Sequence, residues 1–133
     1  MPNRWLLKTE PSTYSFADLV REQCATWDGV ANPTALRNLR AMKNGDQALI
    51  YHTGEQKSVV GIARIVSNPY PDPAKQDPKL VVVDIAPVRA LKQPIPLSRV
   101  KADPRFADFA LVRIPRLSVM PVTQEQWDAL LAL

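Results

Sequence analysis

The chain holds one cysteine, one histidine and four glycines in 133 residues. A lone Cys24 excludes an internal disulfide and a multi-cysteine zinc site, and a lone His52 excludes a cluster of histidine metal ligands. There is no glycine-rich phosphate cradle of the P-loop or dinucleotide type, and no G-x-S-x-G elbow. No apolar run approaches the ~20 residues that cross a bilayer, and Lys8 ends the stretch Trp5-Leu6-Leu7 too soon for a secretory leader. The expectation is a soluble, cytoplasmic (intracellular) domain with no membrane partner, no metal and no cofactor. Charge blocks are missing too. Residues 1–66 carry eight basic and six acidic side chains and residues 67–133 carry nine and seven, so each half is +2 and the chain is +4. Such an even surplus permits a polyanionic partner without demanding one, and a generic basic surface explains it equally well.

What the chain has instead is proline, thirteen of them, which interrupt every long regular element. A length of 133 residues is that of one domain, expected over residues 1–133, and 46% hydrophobic residues supply a core. Arg4–Thr9 reads as an opening strand. Ser15-Phe-Ala-Asp18 is a capping box, with Tyr14 and Leu19 at the staple positions and Phe16, Leu19 and Val20 on one helical face running to about Gln23. Asn32-Pro33 starts a second helix, with Ala35, Leu36, Leu39 and Met42 along one side and Asn44-Gly45 as its left-handed exit. Strands are expected over 46–53 and 58–67, joined by the hairpin turn 54–57, and over 79–91 with a bend near Pro87. Residues 68–78, with four prolines, read as a surface loop. Short helical turns are expected over 96–101 and 105–108 and a last strand over 117–121. Thr123-Gln-Glu-Gln126 is a second capping box that opens a closing helix faced by Trp127, Leu130 and Leu131. Helices that do not alternate with strands argue against a doubly wound sheet. The pattern predicts an α+β fold, a mixed or antiparallel sheet of five to six strands curled into a small barrel with peripheral helices.

Catalytic constellations are sparse. Cys24 and His52 are a nucleophile–base pair only on paper, because Cys24 follows an amphipathic helix face and reads as a small buried hydrophobe. Glu10 and Asp28 offer paired carboxylates, but a carboxylate near Lys8 is more ordinarily a structural ion pair. The polar and aromatic residues gather early instead: Trp5, Lys8, Thr9, Glu10, Trp27, Asp28, Asn32 and Tyr51-His52-Thr53. Aromatic planes with amide, hydroxyl and charged groups at element ends suit a pocket for a flat polar heterocycle. Trp5, inside a strand, reads as core. Trp27, read as lying in a loop between two helices, is either core or pocket wall, and Asn32 is either a helix cap or a base-reading amide.

The same residues carry a resemblance. Trp5-Leu-Leu-Lys-Thr-Glu-Pro11, Thr26-Trp-Asp-Gly-Val30 followed by Asn32, Tyr51-His-Thr53, Val60-Gly-Ile-Ala63, Tyr70-Pro-Asp-Pro73 and Leu111-Val-Arg-Ile-Pro-Arg-Leu-Ser-Val119 resemble the EVE domain. This is a PUA-like module akin to the thymocyte nuclear protein 1 family and kin to YTH, ASCH and PUA domains. The resemblance spans essentially the whole chain. It implies a PUA-like barrel that binds DNA or RNA without catalysis and reads a modified base turned out into a pocket, for example a methylated or hydroxymethylated one. It implies base-binding positions at Lys8, Thr9, Glu10, Trp27, Val30, Asn32, Tyr51 and His52. Arg37, Arg40 and Lys43, on or just after the second helix, are read as phosphate contacts, with a solvated helix face as the alternative. The chain departs from the family at Ala31, Leu36 and Arg37. The alternatives are a small enzyme acting on modified nucleotides through Lys8, Glu10 and His52, or a protein-interaction module.

Overall fold

The computed structural model describes residues 3–133. The first strand, β1 (Arg4–Thr9), buries Trp5, Leu6 and Leu7 in succession because it lies between two neighbours. It runs parallel to β3 (Gln47–His52), with Leu6 opposite Leu49, and antiparallel to β7 (Val119–Val122), with Leu6 opposite Met120. Trp5 is core, as expected, and its indole N–H donates to the buried carboxylate of Asp46 at 2.9 Å. That carboxylate also accepts the backbone N–H groups of Asn3 and Lys43, so three donors offset its removal from water.

Between β1 and β3 the chain makes two helices and one unexpected strand. Helix α1 (Phe16–Glu22) starts at the expected box: Ser15 Oγ accepts from the Asp18 N–H, and the Asp18 carboxylate accepts from the Ser15 N–H. It stops at Gln23, whose φ of 68° turns the chain into β2 (Ala25–Trp27). Helix α2 (Pro33–Arg40) is capped by Asn32, whose Oδ1 accepts from the N–H groups of Thr34 and Ala35. Its exit corrects the sequence reading. The helix ends at Ala41 in right-handed geometry, and Gly45 (φ 103°) serves the following turn into β3, where its N–H donates to the Ile65 carbonyl.

The hairpin of β3 and β4 (Ser58–Ile65) forms as expected, with a bulge at Ile50/Tyr51. In the segment read as a loop, Tyr70–Pro71 makes a two-residue strand, β5, against β6 (Val81–Pro96). β6 runs five residues beyond the expected end. It pairs with β5 at Val81 and Val82 and with β2 from Val83 to Ile85, β4 joins on the other side at Ile85, and after Ile85 only β4 pairs with it. Pro87, Pro94 and Pro96 all fall in that one-sided stretch, where proline is tolerated. The chain then makes α3 (Leu97–Ala102), a 3-10 turn at Pro104–Phe106, α4 (Ala110–Arg113), β7 and α5 (Gln124–Leu131), which opens at the Thr123 capping box.

The strand order is β2-β6-β4-β3-β1-β7, with β5 beside β6. The sheet is mixed, curled into a half-barrel with helices around it. One point of docking is sharply defined. A Cβ on Gly61 of β4 would lie 2.5 Å from the Phe16 ring, so glycine alone lets the start of α1 sit on the sheet.

Candidate nucleic-acid interface

β2 and β7 are the two edges of the curled sheet, and a cleft of about 670 Å³ opens between them. β1 supplies Lys8 and Thr9, β2 and the turn after it supply Thr26 to Val30, and Ser118, just before β7, closes the far side. Trp27 pairs with Val83 of β6 and keeps only 8% of its surface exposed. The Tyr14 ring stands edge-on to it, 6.3 Å between centroids at 82°. Thr9 fastens this aromatic corner to β1, its hydroxyl donating to the Tyr14 carbonyl at 2.6 Å.

Three charged groups, Glu22, Lys8 and Asp28, line the cleft. The Tyr14 hydroxyl donates to Glu22 Oε1 at 3.1 Å. Burial first, and then this carboxylate, push the phenol up to about 12, so Tyr14 is a fixed donor to Glu22 whose oxygen is left to accept. Lys8 sends its Nζ to the Pro115 carbonyl at 2.8 Å and lies 5.5 Å from the centroid of the Tyr51 ring. Burial lowers its pKa from the ordinary lysine value. The carbonyl takes one of three ammonium protons and leaves two for a guest. Exposed Asp28 lines the mouth as an acceptor.

Of the eight expected base-binding positions, Lys8, Thr9, Trp27 and Val30 line the cleft and Glu10, Asn32, Tyr51 and His52 do not. Glu10 accepts from the N–H and hydroxyl of Ser12 and from Thr53, and the Ser12 bonds hold its carboxyl below the usual range. Asn32 spends its oxygen on the α2 cap. Tyr51 is buried under Lys8, and burial raises its phenol. His52 is buried as well. Its Nε2 accepts the Phe16 N–H at 3.0 Å, which places the proton on Nδ1, 2.8 Å from Gln56 Oε1. It therefore caps α1 and is not placed to act as a base for Cys24.

Other expectations are corrected. Cys24 is exposed and lines the cleft; it lies beyond the end of α1, after the left-handed Gln23, and so misses the helix's buried face. Lys8 makes no ion pair among the described residues, its ammonium going to a carbonyl instead. Arg37 and Arg40 occupy the last turn of α2, remote from the N-terminal end that attracts anions, and Lys43 lies past it. Arg40 donates to the Lys79 carbonyl at 2.6 Å. Tyr14, Glu22, Cys24 and Ser118 are cleft residues that the sequence reading missed. Tyr14 was legible only as a packing partner of the first helix, and Ser118 reaches the site through pairing of β7 with β1.

The EVE domain family model matches residues 3–133. The chain belongs to the EVE domain family. Thymocyte nuclear protein 1 of Mus musculus is 36% identical over the whole of this chain and 74% of its own length. The NMR structure of Rpa0253 from Rhodopseudomonas palustris is 44% identical, with a TM-score of 0.93 over 98% of this chain and 91% of that one. The crystal structure of the human THYN1 protein in complex with 5-methylcytosine containing DNA is 32% identical, with a TM-score of 0.89 over 98% and 96%. An ASCH protein from Zymomonas mobilis, 12% identical with a TM-score of 0.60, shares the fold alone. This EVE domain has no helix long and apolar enough to cross a membrane among its described residues.

Proposed function

We propose that this EVE domain binds nucleic acid and reads a modified base in the cleft between β2 and β7, without catalysis. The observation that carries the reading is the pairing, in one recess, of an aromatic and apolar wall with a hydrogen-bonding wall. Trp27, Tyr14 and Val30 form the first; Lys8, Asp28 and Glu22 form the second. A planar heterocycle lies against the exposed strip of the Trp27 indole and against Val30, where added methyl groups meet apolar surface. Its edge meets an ammonium with spare donors and carboxylates that accept, so a base with the wrong edge covers these groups and leaves them unpaired. The related human protein solved with 5-methylcytosine containing DNA supports DNA as the polymer and that base as the probe.

Binding to labelled oligonucleotides with one 5-methylcytosine, beside identical unmodified ones, tests this. Tighter binding of the methylated strand, lost in Lys8→Met, is the expected result. Equal affinity for both strands overturns the reading. The oligonucleotides are recovered chemically unchanged after long incubation; a converted base establishes the enzyme instead.

A further inference from the structure

We propose that Ile114 is a wedge, the apolar side chain that enters a duplex stack when a base leaves it for the cleft. The inference rests on the base-reading function above and adds a residue to it. Extruding a base leaves a gap between its neighbours, and proteins that unstack DNA fill such gaps with apolar side chains, isoleucine among them. A wedge has to be exposed, rigidly mounted beside the receiving cleft, and flanked by cations that hold the distorted backbone.

Ile114 meets each requirement. It is 50% exposed, the most exposed of the large hydrophobics among the described residues. It opens a tight turn in which the Leu117 N–H donates to the Ile114 carbonyl at 3.0 Å, with Pro115 stiffening the second position. Two bonds fix this turn to the cleft wall: Lys8 Nζ donates to the Pro115 carbonyl at 2.8 Å, and the Lys8 N–H donates to the Ser118 carbonyl at 2.9 Å. Lys8 and Ser118 both line the cleft, so the wedge and the receiving site move as one body. Arg113 and Arg116, both exposed, flank it in the sequence. Arg113 makes only a solvent-exposed 3.3 Å pair with Asp108, which yields readily to a phosphate, and Arg116 is in no ion pair among the described residues. The other exposed hydrophobics lack this setting. Val88 is on β6, which contributes nothing to the cleft, and Val20 is next to an arginine already paired with Asp18 at 2.6 Å.

The experiment compares a duplex holding one 5-methylcytosine–guanine pair, its methylated strand alone, and unmodified versions of both. A 2-aminopurine beside the methylcytosine reports unstacking. Ile114→Ala is expected to bind the methylated duplex roughly tenfold more weakly and to lose the 2-aminopurine brightening, while binding the single strand like the wild type. Ile114→Leu restores both. An exposed site tolerates either variant, and matching thermal melts verify that both fold. Ile114→Ala that weakens both forms alike, or neither, overturns the wedge and leaves base reading standing; so does a wild type that reads methylation only in the single strand. A wild type that fails to prefer the methylated form in either state overturns base reading, and the wedge with it.

Discussion

At the scale of single residues, Trp27 does two jobs, and that settles how its removal behaves. The indole seals β2 against β6 and offers the cleft only a strip of its surface. Trp27→Ala is therefore expected to lose about 3–5 kcal/mol in a denaturant titration, as core tryptophans do, and to lose oligonucleotide binding with it. Tyr14 makes a cleaner probe. An unfolded tyrosine ionises near 10, whereas Tyr14 in the fold holds its proton to about 12. The folded state thus binds more protons in that window. The stability this adds is complete below about 10 and is lost as the pH rises through about 12. The phenolate absorbance of the wild type should show a step near 12 that Tyr14→Phe removes. In the sequence, Tyr14 was legible only as a hydrophobic neighbour of Leu19, because its hydrogen bond to Glu22 depends on where α1 ends.

Among elements, what sequence reveals and what it hides divide by range. The capping boxes at Ser15 and Thr123 and the cap at Asn32 lie within four residues of their partners, so local spelling sufficed for all three helices. β2 escaped the reading because three residues carry no period; Ala25–Trp27 is a strand only because residues 83–85 lie beside it. The long β6 escaped for a related reason, since its prolines disqualify a central strand and are harmless on a one-sided one. Gly61 was legible as a motif glycine inside a strand, but its cause is the Phe16 ring. Gly61→Ala is expected to cost about 1–3 kcal/mol by overpacking, read as a lowered denaturation midpoint. Phe16→Leu in the same chain should recover part of the loss, since it gives the new methyl group room.

For the whole molecule, the +4 charge is a diffuse field, and its contribution to binding depends on which cations are free. Arg116, beside the cleft, is in no ion pair among the described residues, whereas Arg40 is tied to the Lys79 carbonyl at the other end of α2. Arg116→Ala is expected to flatten the slope of log affinity against log salt by about 0.9, the share of one phosphate, and Arg40→Ala to leave it unchanged. The α+β class and the curled mixed sheet were legible because turn and cap residues parse the chain into the right kinds of element. The parallel pairing of β1 with β3 was not, since both helices and β2 intervene. The pairing of β1 with β7 has a consequence for synthesis. Lys8 leaves the ribosome well before the carbonyl that holds its ammonium, which belongs to Pro115, 107 residues later, and the strand that covers β1 ends at Val122. A nascent chain halted anywhere before β7 carries an open β1 edge and a cleft without its far wall. The cleft is thus complete only once β7 has been made and paired, and a fragment that stops short of it lacks the wall that holds Lys8.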